Sequence, residues 1–77
     1  MHELPDDDSW IIDRRRAIGD RIREERERQR LTQEQVILAA RIDRVTIWRV
    51  ETGQEMKLST LLKICRVLGV PLADLVR

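Results

Sequence analysis

Two short helices, each carrying its own start signal and joined by a tight corner, occupy residues 31 to 53, and no other stretch of this chain restricts the fold so closely. Thr32 stands where its hydroxyl can accept a bond from the amide of Gln35 while the Gln35 side chain reaches back, the reciprocal arrangement of a capping box. Leu31 and Val36 are spaced to close a hydrophobic staple over that cap. The second helix repeats the device with Asp43 as N-cap and Ile42 and Ile47 as staple. Gly53 then ends it, because glycine adopts the left-handed backbone conformation at low cost. At about 100° per residue, Thr46, Ile47, Val50 and Glu51 fall on one side of the second helix. Arg44, Val45, Trp48, Arg49 and Thr52 fall on the other. One side is expected to pack, which leaves the other without an intramolecular task.

An outward face with two arginines, a valine, a threonine and a tryptophan on a helix of about nine residues suits a DNA major groove. Arginine forks can take guanine O6 and N7, and valine or threonine methyls can touch the thymine methyl. At this point the chain resembles a known family. The ordered set Leu31-Thr32-Gln33-Glu34-Gln35, Ile42-Asp43-Arg44, Val50-Glu51-Thr52-Gly53, Leu61-Leu62-Lys63-Ile64-Cys65 and Leu68-Gly69-Val70 is similar to the lambda-repressor and Cro type of helix-turn-helix domain, from about Ile18 to Leu75.

The resemblance implies an all-α, compact bundle of five helices, with helices two and three forming the helix-turn-helix. By family position Arg44, Val45, Trp48 and Arg49 are expected at base edges, and Thr32, Gln33, Thr46, Thr52, Gln54 and Lys57 at the DNA backbone. The start of helix two, with its free amides and positive dipole end, is suited to a phosphate. The resemblance also implies an ion pair between Arg26 and Glu51 that fixes helix one against the recognition helix. Several residues depart from the family pattern. Trp48 replaces a small or polar side chain, with stacking on sugar, contact with thymine methyls and contact with a neighbouring protein all open to it. Ile37 stands where alanine is usual at the crossing of helices two and three. Arg41 replaces the corner glycine, at a cost of about 1 kcal/mol in a left-handed conformation. Leu38, if outward, is an isolated exposed leucine or part of a contact surface. Met56 and Lys57 replace the usual proline and serine cap before helix four.

The net charge of +1 conceals a division. Residues 1 to 13 hold five acidic and no basic side chains, whereas the remaining 64 hold fifteen basic and nine acidic ones, leaving a body of +6 behind an acidic stretch. Residues 1–8 are expected to form an acidic flexible arm before a domain spanning residues 9–77. An arm of that sign is repelled by DNA, so its use, where it has one, lies elsewhere, with a protein partner as one candidate.

Asp8 or Ser9 is placed to cap helix one at Trp10, and Ile11, Ile18 and Ile22 supply a thin apolar stripe running to about Gln29. Its many arginines face Asp20, Glu24, Glu25 or Glu27 at helical spacing, so most are expected in a solvated, salt-bridged surface. Leu58 or Ser59 opens helix four, with Leu58, Leu61, Leu62, Ile64, Cys65 and Leu68 as its apolar face and Gly69 as its end. Pro71 suits the first turn of a fifth helix to Val76. That helix is too short to stand alone. Leu72, Leu75, Val76 and Trp10 are therefore expected at a homodimer interface, Trp10 packing alternatively on the last helix of its own chain.

With 77 residues and no Phe or Tyr, the core must be small and aliphatic, good for about 3 to 5 kcal/mol unless a partner adds to it. One cysteine excludes an internal disulfide, and with one histidine it leaves no zinc site; no cofactor is expected. Cys65 reads as a small core residue in preference to a reactive thiol. No apolar run approaches the about 20 residues of a membrane span and no signal peptide is evident, so a cytoplasmic location is expected. There is no nucleophile-base-orienter set and no phosphate loop, so an enzyme is not expected. Two function classes are left. The first is a sequence-specific transcriptional regulator, a repressor by family resemblance, binding an inverted repeat of double-stranded DNA as a dimer with half-sites about one helical turn apart. The second is a protein-interaction module, adaptor or antitoxin-like, on the same scaffold.

Overall fold

A computed structural model describes residues 7–77, so most of the acidic arm expected over residues 1–8 lies outside the described residues. Five helices follow in order: α1 (Ser9–Arg28), α2 (Gln33–Ala40), α3 (Arg44–Glu51), α4 (Leu58–Leu68) and α5 (Leu72–Val76). No strand occurs among the described residues. The helix boundaries follow local chemistry. The Thr32–Gln35 capping box is present in both directions: Thr32 Oγ1 accepts from the Gln35 amide at 3.1 Å, and Gln35 Oε1 accepts from the Thr32 amide at 2.8 Å. Asp43 Oδ1 accepts from the amide of Thr46 at 2.7 Å. Gly53 and Gly69 both take positive φ, +78° and +70°, one just beyond α3 and the other at the end of α4.

α1 opens one residue earlier than the sequence suggests, and neither expected cap acts. Asp8 occupies the cap position without a side-chain bond, while Asp7 Oδ1 accepts from the Ser9 amide and hydroxyl at 3.1 and 2.7 Å. The hydroxyl that was to cap the helix is instead held by the residue two before it. The corner between α2 and α3 is made by Arg41 at φ 57° and ψ 50°, the left-handed conformation that glycine would adopt more cheaply. The amide of Ile42 closes it on the carbonyl of Ile37 at 3.1 Å, with Ile37 itself partly buried against the core. Arg30, between α1 and α2, is the other non-glycine residue at positive φ among the described residues.

The core takes one or more aliphatic side chains from every helix: Ile22, Val36, Ile47, Val50, Leu61, Ile64, Leu68 and Leu75, with the Cys65 thiol among them. Burial pushes the Cys65 pKa up, as befits a thiol surrounded by hydrocarbon. Two expectations change here. Leu58 and Leu62 do not belong to the packed face of α4 but are exposed, because Leu61, Ile64, Cys65 and Leu68 already fill the width that α2, α3 and α5 can cover. Leu75, expected at a dimer interface, is buried within its own chain, where its side chain completes the core.

α1 is the longest element, and it carries ion pairs of its own as well as contacts to the other helices. Arg23 pairs with Asp20 and Glu27, and Arg28 with Glu25, as exposed pairs along the helix. Arg14 and Arg21 do something the helical spacing does not reveal. Arg14 Nη2 donates to the carbonyl of Val76 at 2.6 Å and Arg21 Nη1 to the carbonyls of Leu75, at 3.0 Å, and Arg77. These guanidinium groups thus satisfy carbonyls that the short α5 leaves open. Gln29 does the same for α4, its Nε2 donating to the Leu68 carbonyl at 2.6 Å. Gly19 lies under the end of α3, where a Cβ would run into the carbonyl oxygens of Val50 and Glu51.

Candidate functional site

α3 is seated by its inner residues and therefore free on its outer ones. Ile47 and Val50 are fully buried, and Glu51, although polar, is only 4% exposed. Its carboxylate is met from α1 by a two-pronged arginine: Arg26 Nε donates to Oε2 at 2.7 Å and Arg26 Nη2 to Oε1 at 3.0 Å. The third nitrogen, Arg26 Nη1, donates to the Leu31 carbonyl at 2.8 Å, just before the cap of α2. Gln33 Nε2 adds a bond to Glu51 Oε1 at 3.2 Å. One buried carboxylate thereby ties together α1, the start of α2 and the end of α3. The hydrogen bond to Glu51 raises the Arg26 pKa further above its already high ordinary value, against the opposing effect of burial.

With that side anchored, Arg44, Val45, Trp48, Arg49 and Thr52 stand outward and exposed. Two grooves flank them. Gln33, Arg44, Val45 and Trp48 line a cleft of about 310 Å³ whose wall is almost entirely carbon. Thr46, Arg49 and Lys57 line a smaller groove of about 200 Å³ on the other flank, together with Glu55, Met56 and Thr60. Gln33, Thr46 and Lys57, expected at the phosphate backbone, thus line the same grooves as Arg44, Val45, Trp48 and Arg49, expected at base edges. Gln54 is exposed beyond α3, its amide donating to the Arg49 carbonyl at 2.8 Å.

Two side chains are engaged in ways the spacing does not foretell, and a third in the cap that the spacing predicts. Arg44 Nη2 donates to Glu34 Oε2 at 2.6 Å, an exposed ion pair bridging the two helices of the corner. The hydroxyl of Thr52 donates to the Trp48 carbonyl at 2.7 Å, which turns its proton away from any phosphate. Thr32 spends its hydroxyl on the capping box. The Arg49 guanidinium, like the Lys57 ammonium in the same groove, makes no ion pair with another described residue. Glu34 is the functional neighbour that sequence reasoning missed. It is the second residue of α2, and nothing local indicates that it lies beside Arg44 across the corner.

No group of His, Cys, Asp and Glu side chains among the described residues is arranged to hold a metal ion. No described helix is long and apolar enough to cross a membrane.

An all-helical bundle with a capped two-helix corner, whose second helix shows a cationic and apolar outer face, defines a DNA-binding helix-turn-helix protein of the Cro and lambda-repressor type. The chain belongs to the helix-turn-helix domain family, whose model matches residues 17–77. No curated protein matches it.

Proposed function

We propose that the chain is a sequence-specific transcriptional regulator, acting as a repressor, that inserts the helix from Arg44 to Thr52 into the major groove of an inverted-repeat operator as a homodimer. What carries this reading is the division of α3: Ile47, Val50 and Glu51 hold it down, and Arg44, Val45, Trp48 and Arg49 are left outward with no intramolecular partner except Glu34. Arg49 is the principal guanine reader, its fork free to take O6 and N7. Val45 and Trp48 supply apolar contact, and Arg44 reads or steers from the Glu34 side. Gln33, Thr46, Gln54 and Lys57, with the amides of Gln33 and Glu34 that follow the Thr32 cap, contact phosphates and set the register of the helix on the duplex. Repression then follows from occupancy of DNA that a polymerase would otherwise use. The protein is not an enzyme in this reading, and its place is the cytoplasm, with the DNA.

The dimer contact is assigned to the exposed Trp10 and Val76 with the partly buried Leu72, on the paired surfaces of α1 and α5. Leu75 takes no part. A second reading, a protein-interaction module, draws on Leu38, which at 70% exposed is the most open large apolar side chain among the described residues. Selection of bound duplexes from a random pool separates the two. A regulator enriches a symmetric sequence, and Arg49→Ala then weakens binding to it by ~1–3 kcal/mol with much less effect on random DNA. A pool without enrichment transfers the assignment to the interaction module. Sedimentation at micromolar concentration checks the dimer, which fails if only a 9.1 kDa species is seen.

A further inference from the structure

The end of α2, the corner and α4 border a third cleft, of about 760 Å³, which shares no residue with the two grooves beside α3. Arg41, Lys63 and Arg66 line it together with Ala39, Ala40 and Val67, and no acidic side chain does. All three cations are exposed, and none makes an ion pair with another described residue. The helix dipole accounts for a cation at a C-terminus, which covers Arg66 in the last turn of α4 and Arg41 at the end of α2. It does not account for Lys63, in the middle of α4, nor for a left-handed arginine at a corner where glycine fits with less strain. α4 carries no acidic residue of its own to answer them.

The chain itself supplies the complementary charge. Residues 1–8 hold Glu3, Asp6, Asp7 and Asp8 and no Lys or Arg. With Asp7 bonded to Ser9, Glu3, Asp6 and Asp8 stand against three cations, and Leu4 has the carbon of Ala39, Ala40 and Val67 to meet. The arm of the same copy is too short for this. α1 has 20 residues, about 30 Å at ~1.5 Å per residue, and Gln29 at its far end is bonded to the carbonyl of Leu68, next to Val67 of the cleft. Eight extended residues span at most about 26–29 Å, so an arm leaving the near end of α1 would be used up in the crossing. We infer that the Arg41–Lys63–Arg66 cleft is the docking site for the acidic segment 1–8 of a second copy of this chain. The contact is head-to-tail, arm of one copy to cleft of the next, and so distinct from the two-fold contact assigned to Trp10, Leu72 and Val76.

The test uses the full chain, an acetylated and amidated peptide of residues 1–8, and inorganic tripolyphosphate as a rival anion. In salt well below 0.1 M, where the screening length exceeds about 10 Å, the peptide shifts the amide resonances of Ala39 to Arg41 and Lys63 to Val67; at about 1 M, where it is about 3 Å, the shifts vanish. Arg66→Gln lowers peptide affinity about fivefold, ~1 kcal/mol at ~1.4 kcal/mol per tenfold. Arg41→Gly weakens it similarly without lowering the melting temperature, because glycine relieves the left-handed corner, so the loss is not one of folding. Sedimentation of the full chain at low salt shows association that grows with concentration. It disappears in the Glu3→Gln, Asp6→Asn, Asp8→Asn variant, which leaves the Asp7 bonds to Ser9 in place. Peptide binding indifferent to all three cations, or a cleft that takes tripolyphosphate and not the peptide, overturns the assignment. Peptide binding without arm-dependent association overturns the second copy as the occupant. None of these outcomes bears on the duplex selection that tests the α3 reading.

Discussion

Arg26 and Glu51 meet through two parallel hydrogen bonds, at 2.7 and 3.0 Å, in a place where neither side chain is more than 12% exposed. A pair so withdrawn from water is costly to break from one side, because the partner left behind is a buried charge without compensation. Glu51 would also remain tied to Gln33 alone, a neutral donor at 3.2 Å. Arg26→Ala is therefore expected to cost about 3–5 kcal/mol, most of the stability of a domain this small. Arg23, paired in the open with Asp20 and Glu27, serves as the control, and Arg23→Ala is expected to cost under about 1 kcal/mol. Equal shifts in melting temperature for the two variants would remove the pair from its structural role.

Gly19 reverses the ordinary rule for glycine inside a helix. Replacing such a residue by alanine usually stabilises by roughly 0.5–1 kcal/mol. Here the added methyl would be driven into the backbone carbonyl of Val50, which cannot rotate aside, and would press on that of Glu51 at 3.0 Å. Gly19→Ala is expected to destabilise by about 1–3 kcal/mol in urea unfolding, by the overpacking of a close helix crossing. A gain in stability would show that α1 and α3 do not approach this closely.

Acid should loosen the start of the recognition helix. Hydrogen bonds from Thr46, through its side chain and then its amide, hold the Asp43 carboxyl below the ordinary carboxylate range. A carboxyl depressed in the folded state stabilises above its unfolded value near 4 and loses that contribution as pH falls through the lower, folded value. Glu25 belongs to the same window, drawn down to about 2 chiefly by its hydrogen bond from Arg28. Asp43→Asn keeps a capping oxygen that does not titrate. The variant should lose less stability than the parent between about pH 5 and pH 3, measured by chemical unfolding at each pH, and parallel curves would discharge Asp43 from the acid response.

Cys65 should be silent toward alkylating reagents until the domain opens. Its thiol is buried and its pKa raised by that burial, so the thiolate is scarce near neutral pH. Modification by iodoacetamide is expected to follow the unfolded fraction as urea is added. Rapid labelling of the folded chain would place the thiol at the surface.

The parts of this fold that were readable in advance are those decided by neighbours in sequence. The capping box of Thr32 and Gln35, the Asp43 cap, the end of α4 at Gly69 and the two faces of α3 each depend on residues within about a turn of one another. What escaped depends on residues far apart. Arg14 and Arg21 look like members of a solvated charge ladder, and only the folded chain brings the carbonyls of α5, more than fifty residues away, within their reach. Leu58 and Leu62 lie at one margin of an apolar stripe broader than the space available to it, and periodicity does not say which margin stays wet. A five-residue helix needs a partner, which by itself points Leu75 outward; the partner is the rest of its own chain. Glu34 meets Arg44 only because the corner at Arg41 folds α3 back beside α2.

The clasp that α1 places on α5 has a mechanical corollary. The same rod that grips the final carbonyls with Arg14 and Arg21 also cradles the reading helix, through Gly19 beneath Val50 and Arg26 beside Glu51. Anything fastened to the last turn is consequently held at a set bearing from the outer face of α3, like the two jaws of a caliper on one beam. Inserting a single residue into α1 between Arg21 and Arg26 would turn Arg26 by about 100° relative to Gly19, and a beam so twisted could no longer keep both of its grips on α3.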